Sequence, residues 1–138
     1  MDGTDLNKLS SLVIKSAIKI HRKLGPGLLE SIYQSCMLIE LDLMGIRVKK
    51  EIPLKISYAG RTLNELLRLD LLVEDQIIVE LKSIEEIMPV HKKQLLTYLR
   101  IANKPLGLLI NFNVALLKEG IVRIINSPAD KDLSRPLR

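Results

Sequence analysis

The sequence is poor in aromatic residues, histidine and cysteine. It has no tryptophan, one phenylalanine and three tyrosines, which is too few for a surface that grips single-stranded nucleic acid by stacking bases on rings. Its one cysteine, Cys36, excludes a disulfide within the chain. Together with two histidines, it also leaves too few nitrogen and sulfur ligands for a structural zinc site.

Long apolar segments are also missing. No apolar run approaches the roughly eighteen residues that a bilayer requires, so no membrane partner is expected. The polar start, MDGTDLNKLS, lacks the apolar stretch of a secretory signal. A single cysteine also fits a reducing compartment. We therefore expect a cytoplasmic protein.

What the chain does contain is typical of one globular domain. Of its 138 residues, 47% are hydrophobic and 27% are charged. Lysine and arginine number 21 against 16 acidic residues, which gives a net charge of +5. A basic excess favours polyanionic partners such as nucleic acids. Many basic proteins bind no polyanion, however, so charge alone leaves both interpretations open.

The spacing of apolar residues predicts an α/β (α+β) fold with one mixed sheet flanked by helices. Helices are expected at residues 9–24 and 28–44. On the second helix, the stripe of Leu28, Ile32, Cys36, Ile39 and Leu43 is expected to face the core. The other predicted elements are strands at Val48–Tyr58, 66–73 and 76–82, a helix at Pro89–Ala102, and strands at 106–112 and Ile121–Ile125.

Three segments follow from this order of elements. Residues 1–8 are expected to form a flexible N-terminus and residues 127–138 a flexible C-terminal tail. Residues 9–126 should form a single domain, because no repeat or change of composition marks a boundary.

Charged residues inside apolar strands are the candidate functional groups, because an unpaired buried charge is costly. Asp70 lies in one predicted strand, and Glu80 and Lys82 lie two apart on one face of the next. Asp70 can lie opposite Glu80 only if residues 74–76 form a three-residue connection or a bulge restores the phase. Two converging carboxylates would suit Mg²⁺ or Mn²⁺, but each pattern alone is more often structural.

Several motifs occur together and in one order. They are Gly27-x-x-Glu30-x-x-Tyr33, Asp70, Glu80-x-Lys82 and Gln94-x-x-x-Tyr98. In these motifs, over about residues 9–126, the sequence resembles the GxxExxY family of the PD-(D/E)xK nuclease superfamily. The resemblance implies a restriction-endonuclease-like core with a mixed central sheet flanked by helices.

The resemblance also implies a metal-dependent deoxyribonuclease that uses Mg²⁺, with Mn²⁺ able to substitute. Asp70 and Glu80 would then be the metal carboxylates, and Glu30 and the backbone carbonyl of Leu81 further ligands. Lys82 would be the catalytic lysine. Gln94 and Tyr98 would orient the lysine, the water or a phosphate.

Other polar residues have weaker indications. Five basic residues are candidate phosphate contacts, although they could equally form a solvated basic surface: Lys49, Lys50, Lys92, Lys93 and Arg100. Tyr33 is expected to pack between helices, Cys36 to be an inert core thiol, and His21 and His91 to lie at the surface.

Two alternatives to an autonomous enzyme remain open. A non-catalytic nucleic-acid-binding module with the same fold would be expected to lack Asp70, Glu80 or Lys82, and all three are present. The chain could instead be a partner-dependent subunit, since it has little surface for reading a base sequence. A homodimer or an unidentified protein partner would enlarge that surface.

Overall fold

Five strands form one mixed sheet in the order in which they follow along the chain. A computed structural model describes residues 3–127. Its elements are α1 (Gly3–Leu24), α2 (Glu30–Leu43), β1 (Val48–Tyr58), β2 (Arg61–Val73), β3 (Ile77–Lys82), α3 (Pro89–Ala102), β4 (Leu106–Asn111), a 3₁₀ turn (Leu117–Gly120) and β5 (Ile121–Ile125). Only β3 and β4 are parallel neighbours, and α3 connects them. The predicted mixed sheet flanked by helices is confirmed.

The two faces of the sheet carry separate apolar clusters. One cluster contains side chains from α1 and α2, and the other contains Leu95 and Leu99 of α3. β4 is buried at all six positions, as expected for a strand that is covered on both faces. No helix within residues 3–127 has the length and apolar character needed to cross a membrane.

The first helix begins nearer the N-terminus than predicted. α1 begins at Gly3 rather than Leu9, so residues 3–8, which were expected in the N-terminal segment, are helical. Leu6 explains the difference, because it continues the apolar stripe by one turn and packs partly against the core. The remainder of the expected flexible ends, residues 1–2 and 128–138, lies outside the described part of the chain.

The buried face of α2 was also predicted wrongly. Tyr33, Met37 and Leu41 are the residues that enter the core. In the stripe expected to be buried, Ile39 and Leu43 are instead 60% and 72% exposed. Apolar residues surround most of this helix, so periodicity alone does not identify the face that meets the sheet.

His21 differs from expectation in the same way. It is buried rather than exposed, and its Nε2 lies 2.8 Å from the carbonyl oxygen of Val114. Because a carbonyl oxygen only accepts, Nε2 donates this hydrogen bond. An imidazole ring that makes a hydrogen bond can be buried at little cost in free energy. Apolar periodicity does not identify such a buried polar residue.

β1 and β2 form a long antiparallel ribbon at one edge of the sheet. Pro53 is exposed on β1, an edge strand, where a residue without an amide hydrogen is tolerated. Ala59 and Gly60 form the turn, and both have positive φ. β2 begins at Arg61, five residues before the predicted start. The prediction missed these residues because the exposed segment up to Leu66 shows no apolar alternation.

Tyr33 fixes the loop that leads into α2. Its ring stacks on Phe112, with centroids 4.2 Å apart and planes at 7°. Its hydroxyl donates to the Gly25 carbonyl at 2.6 Å and accepts from the Leu28 amide at 3.2 Å. Gly27 in this loop has a φ of +95°, which only glycine adopts readily. The expected packing role of Tyr33 is confirmed, and the loop sets the start of α2 at Glu30.

This anchoring predicts the effect of Tyr33→Phe. The substitution keeps the stacked ring but leaves a half-buried carbonyl and a half-buried amide without their partner, so the free energy of unfolding should fall by about 1–3 kcal/mol. Urea unfolding measures the change. Tyr58→Phe is the matched control, because Tyr58 is 76% exposed and should change stability by less than about 0.5 kcal/mol. Equal stability of Tyr33→Phe and wild type would contradict the anchoring role.

Candidate active site

The hairpin between β2 and β3 brings the two predicted strand carboxylates together. The strands pair at Leu71↔Val79 and Val73↔Ile77, so the connection has three residues. Glu74 and Asp75 in this connection both have positive φ, and the Gln76 amide donates to the Val73 carbonyl at 2.9 Å. The predicted three-residue connection is confirmed. It brings Asp70 and Glu80 to corresponding positions at the open end of the hairpin.

The pairing of β2 with β3 ends just before these carboxylates. Beyond Leu71↔Val79, hydrogen bonds from backbone amides to side-chain carboxylates replace the backbone-to-backbone hydrogen bonds of the two strands. The Asp70 amide donates to Glu80 Oε1 at 3.2 Å, and the Leu81 amide donates to Asp70 Oδ2 at 2.9 Å. The two carboxylates therefore lie side by side in the gap where the strands separate.

A break in strand alternation accompanies this gap. Leu69 packs in the cluster on the α3 side, whereas Leu71 packs in the cluster on the α1–α2 side. Residues two apart in a regular strand share a face, so β2 changes its orientation at Asp70. Glu51 stands across from Asp70 on β1 and has a φ of +52°. The irregularity thus spans both strands of the ribbon.

α2 closes this region from one side. Gln34 Nε2 donates to the Asp70 carbonyl at 3.1 Å and to Glu51 Oε1 at 3.0 Å. A small cleft of about 140 Å³ results, lined by Glu30, Ser31, Gln34, Glu51, Asp70 and Leu81. Glu30 reaches the cleft because it stands in the first turn of α2.

Gln34 and Glu51 were not among the predicted site residues. Gln34 lies four residues after Glu30 on a helix, so a shared face was a detectable signal. Glu51 offered no such signal, because its position depends on a left-handed backbone conformation that the sequence does not indicate.

The backbone of Leu81 also faces the cleft. Its amide points toward Asp70, and in an extended strand the carbonyl of a residue projects to the same edge as its amide. Because the β2–β3 ladder has ended here, the Leu81 carbonyl is directed toward the cleft that Leu81 lines.

Lys82 and Tyr98 border the carboxylates on the α3 side. Lys82 is half-buried, and its charge partly counteracts the rise in the pKa of Glu80. The pKa of Tyr98 is raised, first by burial and then by the charges of Glu80 and Asp70. Tyr98 is therefore within electrostatic range of both carboxylates, while Leu95 and Leu99 pack in the core. Gln94 is exposed one helical turn earlier, and its role stays a prediction.

The predicted phosphate contacts are all at the surface. Lys92, Lys93 and Arg100 are exposed on α3, and Lys49 and Lys50 are exposed on β1. Lys50 pairs with Leu71, the residue next to Asp70. His91 has a local function, since its Nδ1 accepts from the Met88 amide at 2.8 Å at the start of α3.

Glu80 is the most strongly perturbed of these groups. It is 8% exposed, and its pKa is raised from the ordinary 4.5 to about 8. Burial is the largest cause, and the negative charge of Asp70 adds to it. A buried carboxyl beside a second carboxylate is destabilised in its charged form unless a cation compensates.

A divalent cation fits these oxygen donors, because it would offset the repulsion between Asp70 and Glu80. Within residues 3–127, however, no three His, Cys, Asp or Glu side chains converge closely enough to hold a metal ion together. The two strand carboxylates and the Leu81 carbonyl are the candidate donors.

The sequence also matches a known family. Residues 7–124 match a family model described as the PD-(D/E)XK nuclease superfamily. The chain belongs to this superfamily. Glu80-Leu81-Lys82 has the pattern (D/E)XK of the superfamily's name. Where the name has proline before aspartate, this chain has Leu69 before Asp70. No curated protein matches the sequence significantly.

The raised pKa of Glu80 predicts how stability changes with pH in the absence of metal. Between pH 4.5 and about 8, the Glu80 carboxyl group is deprotonated in the unfolded chain but keeps its proton in the folded chain. The contribution of Glu80 to stability therefore falls as pH rises through that window. Urea unfolding in EDTA at several pH values measures this fall.

Two variants separate Glu80 from other titrating groups. Glu80→Gln should flatten the pH dependence, whereas Glu85→Gln, an exposed control, should leave the wild-type slope unchanged. An identical slope in wild type and Glu80→Gln would show that Glu80 does not titrate in this window.

Proposed function

We propose that this chain is an Mg²⁺-dependent nuclease that hydrolyses DNA phosphodiester bonds with a metal-activated water, and that it belongs to the GxxExxY branch of its superfamily. The observation that carries the proposal is the pair of carboxylates, Asp70 and Glu80, held side by side at the end of a strand ladder with Lys82 beside them. Superfamily membership supports nuclease chemistry at this position.

Asp70, Glu80 and the Leu81 carbonyl are the proposed metal ligands. Glu30 and Glu51 lie across the cleft, at positions from which they could contact the ion through water. When bound, Mg²⁺ lowers the pKa of a coordinated water and stabilises negative charge on the phosphate. Glu80 itself is shielded from solvent, because its side chain lies in the protein interior.

Lys82 is proposed as the catalytic lysine. Its ammonium group follows Glu80 on the same face of β3, where it can stabilise the charge that develops on the phosphate. Tyr98 is proposed to orient the lysine, the water or a phosphate from α3, with Gln94 one turn away. Glu30 is the acidic residue of the proposed GxxExxY motif, and Tyr33 holds the loop that positions it.

DNA is the proposed substrate, contacted mainly through its backbone. Five basic side chains are exposed on the neighbouring elements, Lys49 and Lys50 on β1 and Lys92, Lys93 and Arg100 on α3. Cations at these positions would displace counterions from phosphates. Asp70, Glu80 and Lys82 are all retained and are placed together, which favours an enzyme over a non-catalytic binding module.

Removing either strand carboxylate should abolish metal-dependent cleavage. Asp70→Asn and Glu80→Gln each remove a charged ligand, so calorimetry should detect no Mg²⁺ binding and a supercoiled DNA substrate should stay intact. Wild type in EDTA is the chemical control. Cleavage that persists in EDTA, or in Glu80→Gln, would place the activity elsewhere.

Lys82→Ala should separate metal binding from the rate of reaction. The ion should still bind, because both carboxylates remain, while the cleavage rate should fall about 10²–10³-fold. Lys118→Ala, at an exposed lysine after β4, is the control and should retain the wild-type rate. Loss of metal binding in Lys82→Ala would show that the lysine stabilises the site rather than the reaction.

A further inference from the structure

Gln34 connects α2 to both strands of the β1–β2 ribbon at the level of the carboxylates. Its Nε2 donates to the Asp70 carbonyl on β2 at 3.1 Å and to Glu51 Oε1 on β1 at 3.0 Å. The nitrogen of a primary amide carries two hydrogens, so this one group uses both. A carbonyl and a carboxylate only accept hydrogen bonds, and the orientation of the Gln34 amide is therefore determined by its partners.

These two hydrogen bonds lie where the ribbon is irregular. The pairing of β1 with β2 skips Glu51 and Asp70, although the residues on either side of them are paired. Glu51 has a φ of +52°, which is unusual for a residue with a side chain. An irregular strand needs hydrogen-bond donors from outside the ladder for its backbone carbonyls, and Gln34 provides one.

The contact with Gln34 completes a set of three hydrogen bonds around Asp70. The Asp70 amide donates to Glu80 Oε1, and Asp70 Oδ2 accepts from the Leu81 amide. Gln34 holds the carbonyl of the same residue from the other side. A change at the carbonyl alters the backbone torsions of Asp70, and it would move the amide and the carboxylate with them. Gln34 thus influences how Asp70 lies relative to Glu80.

The chemistry of this contact suits a site that must keep its negative charge. A glutamine amide is neutral, so it holds Asp70 without offsetting the carboxylates. The Asp70 and Leu81 amides, which donate to the carboxylates, are neutral as well. A lysine at position 34 could donate similar hydrogen bonds, but its positive charge would repel a cation bound nearby.

We propose that Gln34 is a positioning residue for the metal site. Its amide keeps Asp70 where this residue and Glu80 bind one divalent cation together, and it leaves their charge available for that ion. The inference rests on the proposed function, because the ion is the one proposed there. Groups that hold metal ligands in place typically change metal affinity about 10–100-fold when they are removed.

Two substitutions of Gln34 separate positioning from a merely structural contact. Gln34→Met has a side chain of similar length without a donor, so the urea midpoint in EDTA should fall and the calorimetric Kd for Mn²⁺ should rise at least about tenfold. Gln34→Lys can donate again, and its urea midpoint should exceed that of Gln34→Met. Its Kd for Mn²⁺ should nevertheless stay at least about tenfold above wild type, because the ammonium group repels the ion.

Ser35→Lys is the matched control for the added charge. Ser35 is exposed on α2 and does not line the cleft, so solvent screens the new ammonium group and the Kd should stay within about twofold of wild type. Wild-type Mn²⁺ affinity in Gln34→Met or in Gln34→Lys would overturn the inference, and Gln34→Lys decides it even if Gln34→Met does not fold. A wild-type chain that binds no Mn²⁺ would instead overturn the proposed metal site itself, and this inference with it.

Discussion

The repulsion between two neighbouring carboxylates is the constraint on which this site depends. Asp70 and Glu80 occupy the gap where β2 and β3 separate, and each accepts a backbone amide of the other strand. These hydrogen bonds hold the carboxylates in place but do not neutralise them, and burial raises the pKa of Glu80. The fold therefore maintains an arrangement that is unfavourable in its charged form unless a cation is present.

The rest of the domain holds this gap open. Apolar clusters on both faces fix β3 and β4, so the strand that carries Glu80 and Lys82 has little freedom to move. On the α2 side, Tyr33 and the glycines of the preceding loop set the helix start, and Gln34 connects that helix to the Asp70 carbonyl. The positions of the polar groups thus follow from packing that lies mostly outside the site.

Much of this architecture could be predicted from the sequence. α3 and β5 have the predicted bounds. If Asp70 is to lie opposite Glu80, parity predicts a three-residue connection or a bulge, and the connection has three residues. These features depend on local patterns, such as the proline at the start of α3 and the alternation of side chains in a strand. The mixed sheet followed from the order of the elements.

Other features depend on contacts that local patterns do not encode. The buried face of α2 was predicted wrongly because apolar residues lie on several of its sides and only packing on the sheet selects Tyr33, Met37 and Leu41. Glu51 was missed because its left-handed backbone has no glycine to indicate it. The burial of His21 depends on a carbonyl that is distant in sequence.

A crystal structure of the chain with Mn²⁺ tests the central claim most directly, because anomalous scattering locates the ion independently of any activity. We expect an anomalous peak within coordination distance of both Asp70 and Glu80, with the Leu81 carbonyl as a further ligand. A fully occupied ion elsewhere in the molecule, or no ion beside these carboxylates at saturating Mn²⁺, would contradict it.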